Sequence, residues 1–511
     1  MANPLLPVPD TRPHLLFFNP DQWRGGALGH LGDPAAHTPN VDALAREGVS
    51  FRQAYCQNPV CTPSRCSFMT GWYPHTRGHR TIHHMLGLER GENNLLKALK
   101  GAGYFVFWAG KNDLVAGQDD VTRHCDVYFQ PTEADYARWG LTRRAESHAE
   151  IQSRRGAPGD DTYYSFFGGK LETGDDPLYL DSDWANVLGA AEFVRNYDGE
   201  RPLCVFLPLL YPHPPFLVEE PWFSAVDRAS VPARVPSPSD EQLDRLPRAM
   251  RGLQEGLGMT TWSEARWTEL RAVYYGMIAR VDEQFGRVRD AFVERGIYDQ
   301  TATFFFSDHG EYAGDYGLVE KAQNLFQDAL TRVPFVFRPP ADTPCRPRVS
   351  DALVELVDFP ATVCSLTGVD LGHRQFGRSL LPLLADEDVP WRDAVFCEGG
   401  RLPGEVEASE AFSNSAPAGL YYPRMKLQQS EEPFYHGKGV MVRTATHKLV
   451  HRLDEPSELY DLVSDSTEVD NRIDDPALAA VRRDLETRLL RWMIATADIV
   501  PREPDQRAFR I

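Results

Sequence analysis

Short apolar runs alternate with stretches of helical period through the first ~390 residues, and that alternation predicts an α/β sheet sandwiched by helices. His14-Leu-Leu-Phe-Phe18 reads as a buried strand ended by Asn19-Pro20-Asp21. Thr38-Pro39 opens a short helix, with Thr38 as N-cap and Pro39 at its first position, and Gly48 stops it. Leu95 to Lys100 is helical, Gly101-Ala-Gly103 turns, and Tyr104 to Trp108 is a strand. An amphipathic helix from Asp183 to Tyr197 leads to the strand Leu203 to Leu207. A long helix follows over Thr268 to Arg295, then strands over Thr301 to Phe306 and Val333 to Phe337.

The texture changes near Trp391. Short strands are expected at Ala394 to Cys397, Gly439 to Val442 and Lys448 to His451, with a terminal amphipathic helix from Ala477 to Trp492 and a charged tail. We divide the chain into a catalytic domain over residues 1–390 and a smaller α+β module over 391–511. Glu405 to Pro433, rich in Ser, Glu, Pro and Gly, is expected to be a long surface loop. There is no internal repeat.

A ligand on such a sheet sits outside the carboxyl ends of the strands. The segments following four of them read Asn-Pro-Asp21-Gln22, Gly-Lys111-Asn-Asp113, Tyr-Pro-His213-Pro-Pro and Ser-Asp308-His309-Gly-Glu311. All four are rich in metal-ligand and proton-donor side chains, which places the chemistry at that edge.

Charge narrows the partners. With 54 basic and 73 acidic residues the net charge is −19, so no basic face is available for nucleic acid, and a long polyanion is disfavoured. A small anionic substrate would need a local positive site. The N-terminus has neither a charged n-region nor an apolar h-region, and no run approaches the ~20 apolar residues of a membrane span, so a cytoplasmic protein without membrane attachment is expected. The eight cysteines include no Cys-x-x-Cys pair, and most are expected to be small buried hydrophobes.

Cys61-Thr-Pro-Ser-Arg65, followed by Thr70-Gly71, resembles the sulfatase signature. Similarity to that family extends to Thr38-Pro-Asn-Val-Asp42, Gly110-Lys111, Pro212-His213-Pro, Ser307-Asp-His-Gly-Glu311, Gly377-Arg-Ser-Leu-Leu-Pro-Leu-Leu384 and Glu458-Leu-Tyr-Asp-Leu462. The resemblance implies an alkaline-phosphatase-like mixed sheet between helices with a smaller C-terminal α+β module. It also implies that Cys61 is oxidised to formylglycine by a formylglycine-generating enzyme. A hydrated aldehyde has two geminal hydroxyls, one to attack sulfur and one to expel sulfate; a serine could form the ester but not release it that way.

The same resemblance assigns the remaining roles. Arg65 orients the diol and holds its anionic form. Asp21, Asp308 and His309, with Gln22 and Cys61, form the metal set, for which one divalent ion is expected, calcium first, with manganese and magnesium open. Lys111 and Lys321 contact the sulfate and the leaving-group oxygen, and His213 is the general acid. One position departs from the family: many sulfatases read Gly-Lys-Trp-His where this chain has Gly110-Lys111-Asn112-Asp113. Asp113 therefore stands where a histidine base is expected, and a carboxylate there repels an anionic ester unless a cation compensates. His75, His79, His83 and His84 are expected to be structural or on the surface.

Sulfate monoester hydrolysis is the leading reading. The alternative is hydrolysis of phosphonate monoesters or phosphodiesters at the same site, because Asp21-Gln22-Trp23-Arg24 resembles those enzymes, although Trp23 and Arg24 are expected to pack the floor of the site. Specificity is expected in the loops Thr81 to Met85, Gln118 to Tyr163 and Glu405 to Pro433. A homo-oligomer stays open, since the tail after Trp492 could reach a neighbouring subunit.

Overall fold

A computed structural model describes residues 12–143, 169–256, 258–386, 388–408 and 436–502. Most of the expected Glu405 to Pro433 loop, and residues 144–163 of the Gln118 to Tyr163 loop, lie outside these residues. Eight strands form the main sheet: β1 (His14–Pro20), β2 (Val49–Phe51), β3 (Phe105–Ala109), β4 (Val127–Phe129), β5 (Leu203–Leu209), β6 (Thr301–Phe306), β7 (Phe335–Arg338) and β8 (Arg348–Ser350). Their order across the sheet is β8-β2-β7-β6-β1-β5-β3-β4. β1 is parallel to β5 and β6, whereas β7 runs antiparallel to β6 and β2, so the sheet is mixed.

The central strands are apolar without alternation because both of their faces are covered. Leu16 and Phe18 of β1 join one core, where Phe18 packs edge-on against Phe285 at 5.3 Å. Phe285 belongs to the long helix α5 (Glu264–Glu294), which runs beside α4 (Ser182–Asn196). Leu15 and Phe17 join the opposite core, with Phe17 against Phe359 of α6 (Asp358–Thr367) at 4.8 Å. The same core takes in Cys66 and Phe68 of α2 (Cys61–Thr70) and the leucines of α3 (Leu95–Gly101).

Two local expectations change. Thr38 does occupy the N-cap position of α1 (Pro39–Glu47), but its side chain does not cap the helix. Its hydroxyl bonds Asp42, and the orphan amides of Asn40 and Val41 go instead to the carboxylate of Asp282 on α5. Val333 to Phe337 is not one strand: Arg332–Val333 pairs with a short strand at Ala54–Tyr55, and β7 begins after Pro334, which has no amide to donate to a ladder. Six of the eight cysteines are buried, the exceptions being Cys345 and Cys364, which are partly exposed.

The C-terminal module is an antiparallel sheet of β9 (Val395–Gly399), β10 (Gly439–Arg443), β11 (His447–Arg452) and β12 (Glu458–Asp461), in that order. Helix α7 (Ala479–Thr496) covers it, burying Leu485, Leu489 and Trp492 against Val442 and Leu449. The module meets the catalytic region where Gly399 of β9 passes the backbone of Gln323, so closely that a Cβ at 399 would lie 1.8 Å from the Gln323 carbonyl oxygen.

Candidate active site

The carboxyl ends of β1 and β6 are stitched together before any reactive group is placed. Asn19 donates to the Phe306 carbonyl, and the Ser307 hydroxyl donates to the Pro20 carbonyl while accepting the Trp23 amide. Gln22 sits at a φ of 69°, a left-handed turn rare for a residue with a side chain, and its amide reaches Asp308 Oδ1 at 3.0 Å. Asp21 and Asp308 are thereby set side by side, both fully buried. Gly310 leaves this turn against the Ala329 carbonyl, where a Cβ would lie 2.0 Å from the oxygen.

Cys61 arrives on the first residue of α2. Pro63 is tolerated there because amides of the first turn have no intrahelical partner. The helix ends at Gly71, φ 74°, whose amide caps back to Ser67. All ten residues of α2 are buried, and the helix N-terminus favours negative charge at position 61. The Cys61 Sγ lies 3.5 Å from Asp21 Oδ1 and 3.3 Å from His309 Nε2, and His309 Nε2 is itself 3.3 Å from Asp21 Oδ1.

Arg65, one turn further along α2, lies under the two carboxylates. Its guanidinium reaches Asp308 Oδ2 at 2.8 Å and Asp21 Oδ2 at 3.2 Å. Burial works against its charge, but Asp308 and Asp21 outweigh it and hold Arg65 firmly protonated. Ser64, within the Cys61-Thr-Pro-Ser-Arg65 run, donates to the Asp308 backbone carbonyl at 2.6 Å.

Lys111 follows β3 at Gly110, whose φ of 134° and closeness to the Pro208 carbonyl (2.3 Å from a built Cβ) require glycine. The Lys111 Nζ bridges Asp21 Oδ2 at 2.8 Å and Asp113 Oδ2 at 2.7 Å. Burial opposes its charge, and the carboxylates of Asp113 and Asp21 more than restore it. Asp113 is thus already neutralised by a cation, the condition under which a carboxylate can sit beside an anionic ester.

Asp21 is held well below the usual carboxylate range: burial raises it, and Lys111, Lys321 and His213 outweigh burial. His309 is buried too, yet Asp308 draws it up to about 10. His213 goes the other way, pushed down by burial and by Lys321, while its Nδ1 is 2.6 Å from the Pro214 carbonyl. Lys321 Nζ donates to Gln22 Oε1 at 2.7 Å and stands 4.0 Å from Asp21 Oδ1.

All ten residues singled out in the sequence lie around this one site. Asp21, Cys61, Asp308 and His309 bring four ligand atoms within 4.8 Å of one another. Two carboxylates and an imidazole are a donor set suited to a divalent cation. Gln22 adjoins them, with its carbonyl oxygen bonded by Lys321. Trp23 and Arg24 are committed to packing: Trp23 is buried against Phe305, and Arg24 pairs with Asp315 at 2.6 Å. His75 bonds Glu398, and His79 bonds Glu92, so both are structural.

Two further supports hold the site in place. Glu311, buried and raised by burial, accepts the amides of Ala313 and Glu320 at 2.7 Å and the side-chain amide of Gln22, orienting that residue. The segment after Lys321 is clamped from the C-terminal module. Arg452 donates to the Asn324 carbonyl at 2.7 Å, and Lys448 to the Phe326 carbonyl at 3.0 Å. The only hint in the sequence was the Glu in Asp-His-Gly-Glu; no local pattern links residue 452 to residue 324.

Comparison with known proteins fits this geometry. The family model described as Sulfatase matches residues 13–369. The chain is 27% identical to the multifunctional alkaline phosphatase superfamily protein PehA of Trinickia caryophylli, over 96% of each chain. It is 24% identical to the arylsulfatase of Clostridium perfringens, covering 76% of this chain and 81% of that one. Among solved structures, the phosphonate monoester hydrolase of Agrobacterium radiobacter superposes with a TM-score of 0.73 at 24% identity, covering 96% of this chain and 100% of that one.

Proposed function

The chain belongs to the sulfatase family of sulfuric ester hydrolases, and from that premise we propose that it hydrolyses sulfate monoesters with a formylglycine made from Cys61. The observation that carries this reading is the position of Cys61 Sγ, within 3.5 Å of both Asp21 and His309 at a helix N-terminus. Formylglycine at position 61 would supply a hydrated aldehyde, with one hydroxyl for attack and one for release of sulfate. Asp21, Asp308 and His309, with Gln22 and residue 61 beside them, would hold a divalent cation, calcium first, supplying positive charge to the ester's peripheral oxygens.

The remaining work falls to side chains of the protein. Arg65 fixes the two carboxylates and keeps a positive charge under the nucleophile, where it favours the anionic form. Lys111, just after β3, and Lys321, in a stretch without regular structure, approach the two carboxylate oxygens of Asp21 and bind the anionic oxygens of the ester. His213 exchanges a proton with the departing alcohol, with Lys321 as the second donor. Asp113 orients Lys111 and is the carboxylate nearest to the role that histidine fills in relatives.

A second reading, phosphonate monoester or phosphodiester hydrolysis, draws on the superfamily relative named multifunctional. Its sequence support is weaker than it looked, because Trp23 and Arg24 are spent on packing. The test has two parts. The Cys61 peptide from protein co-expressed with a formylglycine-generating enzyme is analysed by mass spectrometry, and the aldehyde or its hydrate is expected. Kinetics on sulfate monoesters and phosphodiesters are then run side by side; a strong preference for diesters, or only unmodified thiol at residue 61, would sink the proposal.

A further inference from the structure

The alcohol half of the ester needs a seat next to Lys111 and the His213 loop. A cavity of about 570 Å3 opens there, beyond the carboxyl ends of β3, β4 and β5, with Lys111, Gln130 and Leu210 on its wall. Because Lys111 Nζ lies 2.8 Å from Asp21, this cavity adjoins the reacting centre. Its volume is in the range of small-molecule pockets.

The lining says what fits. Four tyrosines, Tyr128, Tyr136, Tyr179 and Tyr211, and the leucines Leu171 and Leu217 supply aromatic and aliphatic surface. The two carboxylates on the wall are spent within the protein. Asp181 accepts from Arg280 at 2.6 Å and from the Trp184 amide at 3.0 Å. Asp183 accepts the amides of Leu210 and Tyr211 at 2.9 and 2.8 Å, and burial and the neighbouring Asp181 raise it to about 7. The Arg143 guanidinium lies over the Tyr136 ring, 5.6 Å from its centre. By contrast, the amide of Asn186, a buried wall residue, hydrogen-bonds nothing among the described residues.

Resting on the ester-hydrolase reading, we infer that this cavity is the leaving-group pocket and that it selects an uncharged aromatic alcohol, with Asn186 as its hydrogen-bonding contact. A cationic alcohol would find no unspent carboxylate, and the one arginine on the wall, Arg143, already faces Glu133 at 3.7 Å. A sugar would bring several hydroxyls against four aromatic rings and two leucines, and each hydroxyl left unmatched there is costly. A phenol presents a flat apolar ring and at most one or two polar substituents, which is what the wall accommodates.

The experiment compares phenyl sulfate, methyl sulfate and glucose 6-sulfate on the mature enzyme, and measures phenol binding by calorimetry. In Asn186→Ala and Tyr136→Ala the ratio of kcat/KM for phenyl over methyl sulfate is expected to fall about 10-fold, with a similar loss of phenol affinity. Ser182→Trp, at an exposed rim position, narrows the cavity without touching the core. It must also weaken phenol binding, so a folding defect in the other variants does not leave the question open. A ratio and a phenol affinity unchanged within about 2-fold, or glucose 6-sulfate preferred over phenyl sulfate, overturns the inference. If no sulfate ester is turned over but phenol binding still falls in the variants, the sulfate reading fails and the pocket stands.

Discussion

Two buried charge clusters come within seven residues of each other in sequence, at Lys321 and Asp328, and they differ in what they can do. The first joins Arg65, Lys111 and Lys321 to Asp21, Asp113 and Asp308, with Cys61, His213 and His309 interleaved. The second joins Lys448 and Arg443 of the small sheet to Asp328 and Glu468, with Lys448 Nζ 2.6 Å from Asp328 Oδ1 and bonded to Glu468. Burial and pairing are common to both. In the second cluster the cations and carboxylates close on one another and on backbone groups, including the Asp328 amide on Glu468 at 2.6 Å. In the first, Lys111 and Asp113 keep side-chain exposures of 24% and 26% next to an open cavity, and a thiol and two imidazoles sit among the charges. Perturbed ionisation alone does not separate a candidate active site from a structural joint; access and chemical mixture do.

The comparison breaks most visibly at the nucleophile. Cys61→Ala and Asp308→Ala are each expected to lower kcat by more than about 1,000-fold, with the Cys61 variant melting at the wild-type temperature. Dialysis against a chelator should do the same to the wild type, and calcium should restore turnover. Ordinary activity in either variant would mean that the wrong cluster has been called chemical. The mirror-image test is Lys448→Met. Removing one partner from a closed ion cluster leaves buried carboxylates uncompensated and is expected to cost about 3–5 kcal/mol, read as a lowered denaturation midpoint. No such loss is expected for Cys61→Ala.

The smallest effect is a pH dependence. Burial, with Asp328 nearby, raises Glu468 to about 7 even though Lys448 pulls it down. A carboxyl whose folded value lies above its unfolded one contributes stability that is complete below the unfolded value and lost as pH rises through about 7. Glu468→Gln mimics the protonated form, so its Tm should exceed that of the wild type by roughly 2 °C at pH 8 and match it at pH 5. A gap that widens toward acid would reverse the assigned direction.

Much of this was legible in the chain. β1 and β6 announce themselves because strands covered on both faces are continuously apolar, and their polar ends, Asp21-Gln22 and Asp308-His309, then fall at one edge. What stayed hidden has a common cause, namely contacts made by residues far apart. Helix α2 is buried on every side, so it carries no amphipathic stripe to betray it. The cap of α1 comes from Asp282, 241 residues beyond Val41, which outcompetes the local Thr38. Lys321 lies in a stretch without regular structure, and its setting depends on Arg452 and Lys448.

That clamp has a consequence in time. On a growing chain, every proposed metal ligand and the nucleophile have been synthesised by residue 309, and the strands that carry them are complete. The segment bearing Lys321 is made next, but the arginine that fastens it follows 128 residues after Asn324. A chain halted between those points would carry every proposed metal ligand and the nucleophile, but not the side chain that fastens the segment of the second lysine.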